Sequence, residues 1–276
     1  MVQNLNINTI SVGIAACFNK QLCEDSYAFT SRDSNTLVIS DGCSSSHQSF
    51  AASSLSSRVF LNNDLNSKNV VNLKFYSDQL GIAPYSTVVK ACKNVAGFTE
   101  VSCIGDGYVG WSVGNEFFLL EKHYSGKEIP LYPIYSLDPQ QALQRIEDIE
   151  NSSKKLEDTN FPPTYLEKIH IFNVENNKYT LKRTVSREYE VTTSYIEHKN
   201  LEPFNIYEPN VFIATDGLSK IYDYTNNSYL SLEQVLDIVN PLGFTINDYT
   251  YYERKINVLK YKKHIFKDDI CFAGIL

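Results

Sequence analysis

Four apolar runs lie close together in the first half of the chain, at residues 85–92, 98–104, 108–113 and 116–120. Each run reads as a strand. Gly114-Asn115, a pair that tolerates positive φ, marks a reversal as a two-residue hairpin. A βαβ architecture is thereby disfavoured. Further strands are expected at 9–16, 26–30, 36–40, 168–174, 179–185, 190–196, 211–215 and 270–276, with Glu175-Asn176-Asn177 as another turn. Helical signals are fewer. Phe50, Ala51, Leu55 and Val59 form one apolar stripe on a helix that starts near Ser46, with Ser44-Ser45-Ser46 as loop and cap. Ser231-Leu232-Glu233-Gln234 opens another helix as a capping box, and 251–259 continues the helical pattern. Many antiparallel strands with a few helices give a layered α+β sandwich.

A chain of 276 residues can bury a large core, and one domain over 1–276 is expected. The segment from Gln140 to Pro163 changes character: it opens as a short helix, then come Asn151-Ser152-Ser153 and Pro162-Pro163 as an exposed loop, and 124–163 as a whole reads as a variable insertion. The formal charge of −7, from 25 basic and 32 acidic residues, argues against a nonspecific grip on nucleic acid or an anionic membrane. The basic run 259–264 reads as a solvated helix end. Six scattered cysteines with no CxxC pair indicate a reducing compartment and no zinc site. The first residues hold no basic segment followed by an apolar core, and no apolar run reaches membrane-spanning length. The expectation is a soluble, cytoplasmic protein.

Short acidic signatures sit at the edges of the strand-like runs: Cys23-Glu24-Asp25-Ser26, Ile39-Ser40-Asp41-Gly42, Ile213-Ala214-Thr215-Asp216-Gly217 and Lys267-Asp268-Asp269-Ile270. A folded sheet can gather such carboxylates into one cleft, where they repel one another unless a divalent cation neutralises them. Two such ions a few ångströms apart can acidify a bridging water and clamp a phosphate, which is what phosphate-ester hydrolysis requires. Asp41 with the Gly42 carbonyl, Asp216, Asp268, and the pair Glu24 and Asp25 offer the hard oxygen ligands for this chemistry.

The order and context of these elements resemble the metal-dependent serine/threonine protein phosphatases of the type 2C family. Glu24-Asp25-Ser26, Val38-Ile39-Ser40-Asp41-Gly42, Ser86-Thr87-Val88-Val89, Ile104-Gly105-Asp106-Gly107, Phe212-Ile213-Ala214-Thr215-Asp216-Gly217-Leu218 and Asp268-Asp269-Ile270 carry the likeness. Gly105-Asp106-Gly107, together with Cys43-Ser44 after Asp41-Gly42, looks most like a bacterial branch. The resemblance implies an αββα sandwich of two antiparallel sheets with helices outside. It also implies hydrolysis of phosphoserine and phosphothreonine in proteins, with Mn2+ or Mg2+ as two ions and an optional third. Asp41 would bridge the ions, Gly42 would add its carbonyl, Asp216 and Asp268 would bind one ion, Glu24 and Asp25 the second, and Asp106 the third. A phosphorylated protein substrate and a cognate kinase are the implied partners.

Three departures stand out. Lys20 occupies the place of the family's phosphate-binding arginine, keeping the charge and losing the bidentate fork. Cys43 replaces a histidine proposed as general acid, and His47 lies nearby. Gly-Asp-Gly replaces Gly-Asp-Ser around Asp106. Cys43 reads as a packing residue and Asp269 as a neighbour that orients its loop. The competing reading is a catalytically weak or inactive phosphatase-like module that binds a phosphorylated partner.

Overall fold

The structure is a computed structural model that describes residues 9–17, 22–30, 35–43, 48–94, 96–124, 130–153, 164–245 and 248–276. The expected serine cap Ser44-Ser45-Ser46, His47, Lys20 and the loop with Pro162-Pro163 fall outside these residues.

Strands β1 (Ile10–Ala15), β2 (Ser26–Phe29), β3 (Asn35–Gly42), β4 (Ser86–Lys93), β5 (Thr99–Ile104), β6 (Gly107–Val113), β7 (Glu116–Tyr124), β8 (Thr164–Glu175), β9 (Lys178–Glu190), β10 (Phe204–Ile206), β11 (Val211–Ala214), β12 (Ile221–Asp223), β13 (Ser228–Tyr229), β14 (His264–Phe266) and β15 (Ile270–Ile275) pair throughout in antiparallel fashion. The larger sheet runs β1-β15-β11-β6-β7-β8-β9, the second β10-β5-β4-β3-β2, and a small one β13-β12-β14. The α-helices are α1 (Ser49–Leu61), α2 (Ser67–Leu80), α3 (Pro139–Ser153), α4 (Thr193–Glu197), α5 (Leu232–Val239) and α6 (Tyr251–Tyr261), and short 3-10 turns lie between elements.

Strand alternation divides the core into layers. Leu37, Ile39, Val89 and Val101 of the second sheet meet Val109, Ile213, Cys271 and Ala273 of the first, forming the core between the sheets. The alternate residues point outward. Val38, Val88 and Ile104 pack with Val59, Phe60, Val70 and Leu73 of α1 and α2. On the other side Phe117, Phe212 and Phe272 pack with Val235, Leu236, Tyr252 and Ile256 of α5 and α6. The molecule is thus an α+β sandwich of helix, sheet, sheet and helix layers, as expected, with the three-stranded sheet as an addition.

The turns follow from residue chemistry. Gly114 has φ of 58°, and Asn176 and Asn177 have φ of 52° and 61°, the left-handed conformations that two-residue hairpins need. The Ser231 hydroxyl accepts from the Gln234 amide while the Gln234 side chain accepts from the Ser231 amide, so the capping box forms as read.

Three elements differ from expectation. The run 190–196 does not form its own strand: β9 extends to Glu190, and a short helix follows, capped by the Thr192 hydroxyl on the Tyr195 amide. Helix α2, with its Asn66 cap and left-handed Gly81 terminus, carries few apolar residues on its buried side and escaped the periodicity. On α1, Phe50 is exposed while Ala52, Ser53 and Ser56 are fully buried. Small residues let this helix approach the sheet closely, and Ser56 Oγ meets Ser86 Oγ at 2.6 Å. The segment at 130–153 carries a buried cluster of its own, in which Leu131, Tyr132, Tyr135 and Ile146 pack with Tyr165 and Tyr195.

Ser231→Ala removes half of the capping box on α5. The expected result is a loss of about 1 kcal/mol in urea unfolding with an unchanged m-value.

Candidate metal centre

The acidic residues converge because their strands end at the same edge of the sandwich. Asp25 immediately precedes β2, and Asp41 closes β3 in the second sheet. Thr215 and Asp216 follow β11, and Asp268 and Asp269 precede β15, neighbouring strands of the first sheet. Thr215 stitches the two sheets together. Its hydroxyl donates to Asp25 Oδ2 at 2.7 Å and accepts from the Cys271 amide at 3.0 Å. Asp269, 1% exposed, accepts from the Cys17 amide at 2.5 Å and the Glu24 amide at 2.6 Å, fastening two further loops to the start of β15. That is the orienting role expected of it.

Glycine permits two of these approaches. A Cβ on Gly217 would lie 1.9 Å from the Asp269 carbonyl oxygen, so the backbones carrying Asp216 and Asp268 touch. A Cβ on Gly42 would lie 2.4 Å from the Ser49 carbonyl oxygen, where α1 begins.

The carboxyls fall into two pairs. Asp25 is 1% exposed, and its Oδ1 is buried without a hydrogen-bond partner. Burial, and after it the charges of Asp216 and Asp269, push Asp25 up to about 7, against the opposing hydrogen bonds of Asp41 and Thr215. Asp41 lies within hydrogen-bonding reach of Asp25 and is raised well above the usual carboxylate range by burial, then by the charges of Asp25 and Asp216. One proton shared between two facing carboxyls satisfies such a pair when no cation is present.

The second pair is bridged by a side chain that the sequence reading missed. Lys220 Nζ donates to Asp216 Oδ2 and to Asp268 Oδ2, each at 2.6 Å. Burial and the Asp268 charge raise Asp216, while Lys220 counters them. Burial likewise opposes the charge on Lys220, but Asp216 and Asp268 outweigh it and hold the ammonium above the usual lysine range. Its only sequence signal is the spacing of four residues from Asp216.

Other expected residues stand apart from these pairs. The Glu24 side chain accepts from the Ser49 hydroxyl at the start of α1, and its carbonyl accepts from the Gly42 amide at 3.2 Å. Asp106 sits in the turn between β5 and β6, where its charge acts on Tyr165 and Cys103. Cys43 lies against the flanking aromatic cluster, and its amide donates to the Tyr85 carbonyl at 3.1 Å.

Carboxylate oxygens suit a hard divalent cation, and the unpartnered, buried Asp25 Oδ1 marks an acceptor that such an ion would satisfy. Among the described residues, no three His, Cys, Asp or Glu side chains already converge as an ion-binding group. The donors therefore fit an ion by their chemistry, while two of them are engaged by Lys220.

The chain is similar in structure to a C. elegans sex determining protein, with a TM-score of 0.51 and 14% identity over 97% of this chain and 64% of that one. A Mycobacterium tuberculosis serine/threonine phosphatase aligns over 97% of both chains at 12% identity, with a TM-score of 0.45. An S. agalactiae serine/threonine phosphatase aligns over 97% of this chain and 98% of its own, also at 12% identity, with a TM-score of 0.43. At such identities the likeness is one of fold. No protein-family model and no curated protein sequence matches the chain.

Thr215→Val keeps the shape but removes the hydroxyl that joins Asp25 to β15. The expected result is a loss of about 1–3 kcal/mol in chemical denaturation, largely recovered in Thr215→Ser.

Proposed function

We propose that this protein is a metal-dependent phosphatase of the type 2C kind, hydrolysing phosphoserine and phosphothreonine in proteins. The observation that carries the reading is the gathering of Asp25, Asp41, Asp216 and Asp268, from the ends of strands in two sheets, into one acidic basin in which Asp25 is buried and the other three are half-buried. Burying that much like charge is costly, and a divalent cation is the partner that offsets the cost and does chemistry. When bound, Mn2+ or Mg2+ supplies positive charge for phosphoryl oxygens and lowers the pKa of a water.

Each residue has a part in this reading. Asp41, with the Gly42 carbonyl, Asp216 and Asp268 hold ions, as do Glu24 and Asp25 on the second side, with Asp106 serving an optional third. Thr215 holds Asp25 Oδ2, which leaves Oδ1 for a cation. Lys20 binds the substrate phosphate as a point charge, weaker than an arginine fork. Asp269 keeps the loops before β2 and after β1 closed on the basin.

The whole chain, residues 1–276, acts as one catalytic domain in this proposal, and the segment about 124–163 is an insertion that contacts the protein substrate. No helix among the described residues is long and apolar enough to cross a membrane. The proposed setting is the cytoplasm, opposite a serine/threonine kinase.

Phosphothreonine peptide turnover with Mn2+ added or chelated tests the reading. Turnover only with metal is expected, and Asp41→Asn or Asp25→Asn should lower it by at least about 100-fold while circular dichroism and thermal unfolding show a retained fold. Normal turnover in both variants would remove the carboxylates from the reaction. Metal binding without turnover in the wild type would point to the inactive, partner-binding module instead.

A further inference from the structure

The Lys220 side chain is 42% exposed, and its place over the acidic patch is fixed through its backbone. Its own amide donates to the Gly217 carbonyl at 3.0 Å, closing the turn that follows Asp216. Its carbonyl accepts from the Lys267 amide at 3.0 Å, the residue immediately before Asp268. The two loops that present Asp216 and Asp268 are thus tied together through the backbone of Lys220, and the Gly217 contact with Asp269 presses them closer. From that anchored position the ammonium bonds one oxygen of each carboxylate at equal lengths of 2.6 Å. A positive charge coordinated by Asp216 and Asp268 is the arrangement one divalent ion would create there.

The other half of the basin is different. Asp25 keeps a buried Oδ1 without an N–H or hydroxyl donor, and among the described residues no lysine or arginine forms an ion pair with Asp25 or with Asp41 beside it. The unmet demand for positive charge is therefore on the Asp25 and Asp41 side.

We infer that Lys220 is an internal cation that stands in for one of the two ions at Asp216 and Asp268, leaving Asp25 and Asp41 as the side open to a metal. The inference rests on the metal-centre reading above and refines it from a two-ion to a one-ion site with a lysine as the second positive charge. A second ion at Asp216 and Asp268 has to displace the ammonium or sit beside it, and like charge at that range weakens binding.

Counting bound Mn2+ decides the matter without any need for turnover. Titration of the full chain, with free Mn2+ followed by electron paramagnetic resonance and heats by calorimetry, should give one tight ion per wild-type chain. Lys220→Met should take up a second ion, bound about tenfold or more tighter than any second ion of the wild type. Lys220→Arg, which keeps the charge, should remain at one. Lys220→Gln serves as an alternative neutral variant, and thermal unfolding identifies any variant that fails to fold. Two tight ions on the wild type overturn the inference on their own, whatever the variants do, and leave the two-ion phosphatase reading intact. One ion on the wild type and on folded Lys220→Met and Lys220→Gln also overturns it. Absence of binding by wild type and variants overturns both the inference and the metal-centre reading.

Discussion

Everything at the acidic edge of this molecule depends on how negative charge taken from water is compensated. A carboxylate removed from water costs several kcal/mol unless it gains hydrogen bonds or an opposite charge. The protein meets that demand in three ways. Asp269 takes two backbone amides from loops far away in sequence. Asp216 and Asp268 take the Lys220 ammonium. Asp25 takes one hydroxyl from Thr215 on Oδ2, while its buried Oδ1 has no N–H or hydroxyl donor and the neighbouring group is another carboxyl, that of Asp41. Among the described residues the least compensated carboxyls of this edge are the Asp25 and Asp41 pair, which is where added positive charge gains most.

The sandwich makes this possible because strand ends from different sheets open onto a common edge. Within the sheets, apolar residues fill both faces: the core between the sheets and the two outer cores under the helices account for nearly every buried large side chain of β3, β11 and β15. The acidic groups are left to residues at or within two positions of the strand ends. Thr215 occupies the joint between these regimes. It continues the hydrogen-bond pattern of β11 with β15 through the Cys271 carbonyl, at 2.9 Å from its amide, and turns its hydroxyl across to the other sheet. Sheet pairing and charge placement are thereby coupled, since a slip of β15 against β11 would carry Asp268 away from Asp216.

The strand pattern and the reversals were legible in the chain because period-two alternation and left-handed turn residues are local signals. The hairpins at Gly114-Asn115 and Asn176-Asn177 and the Ser231 capping box could be read directly, and so could the acidic pairs at strand edges. The helical face of α1 could not be read in this way. Most of its buried side is serine and alanine, with Val59 and Phe60 only near its end, and a polar residue is recognisable as buried only once the neighbouring Ser86 is in place. The strand expected at 190–196 failed because a local cap at Thr192 overrode an apolar run that has no partner strand.

By itself the amino-acid sequence determined which residues could bind a cation, because carboxylates, their glycines and their strand edges are properties of short segments. Only the tertiary structure decided how those carboxylates are shared. Asp25 meets Asp41 through the pairing of consecutive strands β2 and β3 in the second sheet, whereas Asp216 meets Asp268 through β11 and β15 of the first, strands far apart along the chain. The role of Lys220 was invisible for the same reason. A lysine four residues past an aspartate is ordinary on a surface, and it becomes a bridging charge only when Gly217 lets a second loop, carrying Asp268, close against the first. Local chemistry names the ligands; long-range packing sets which charge each of them meets.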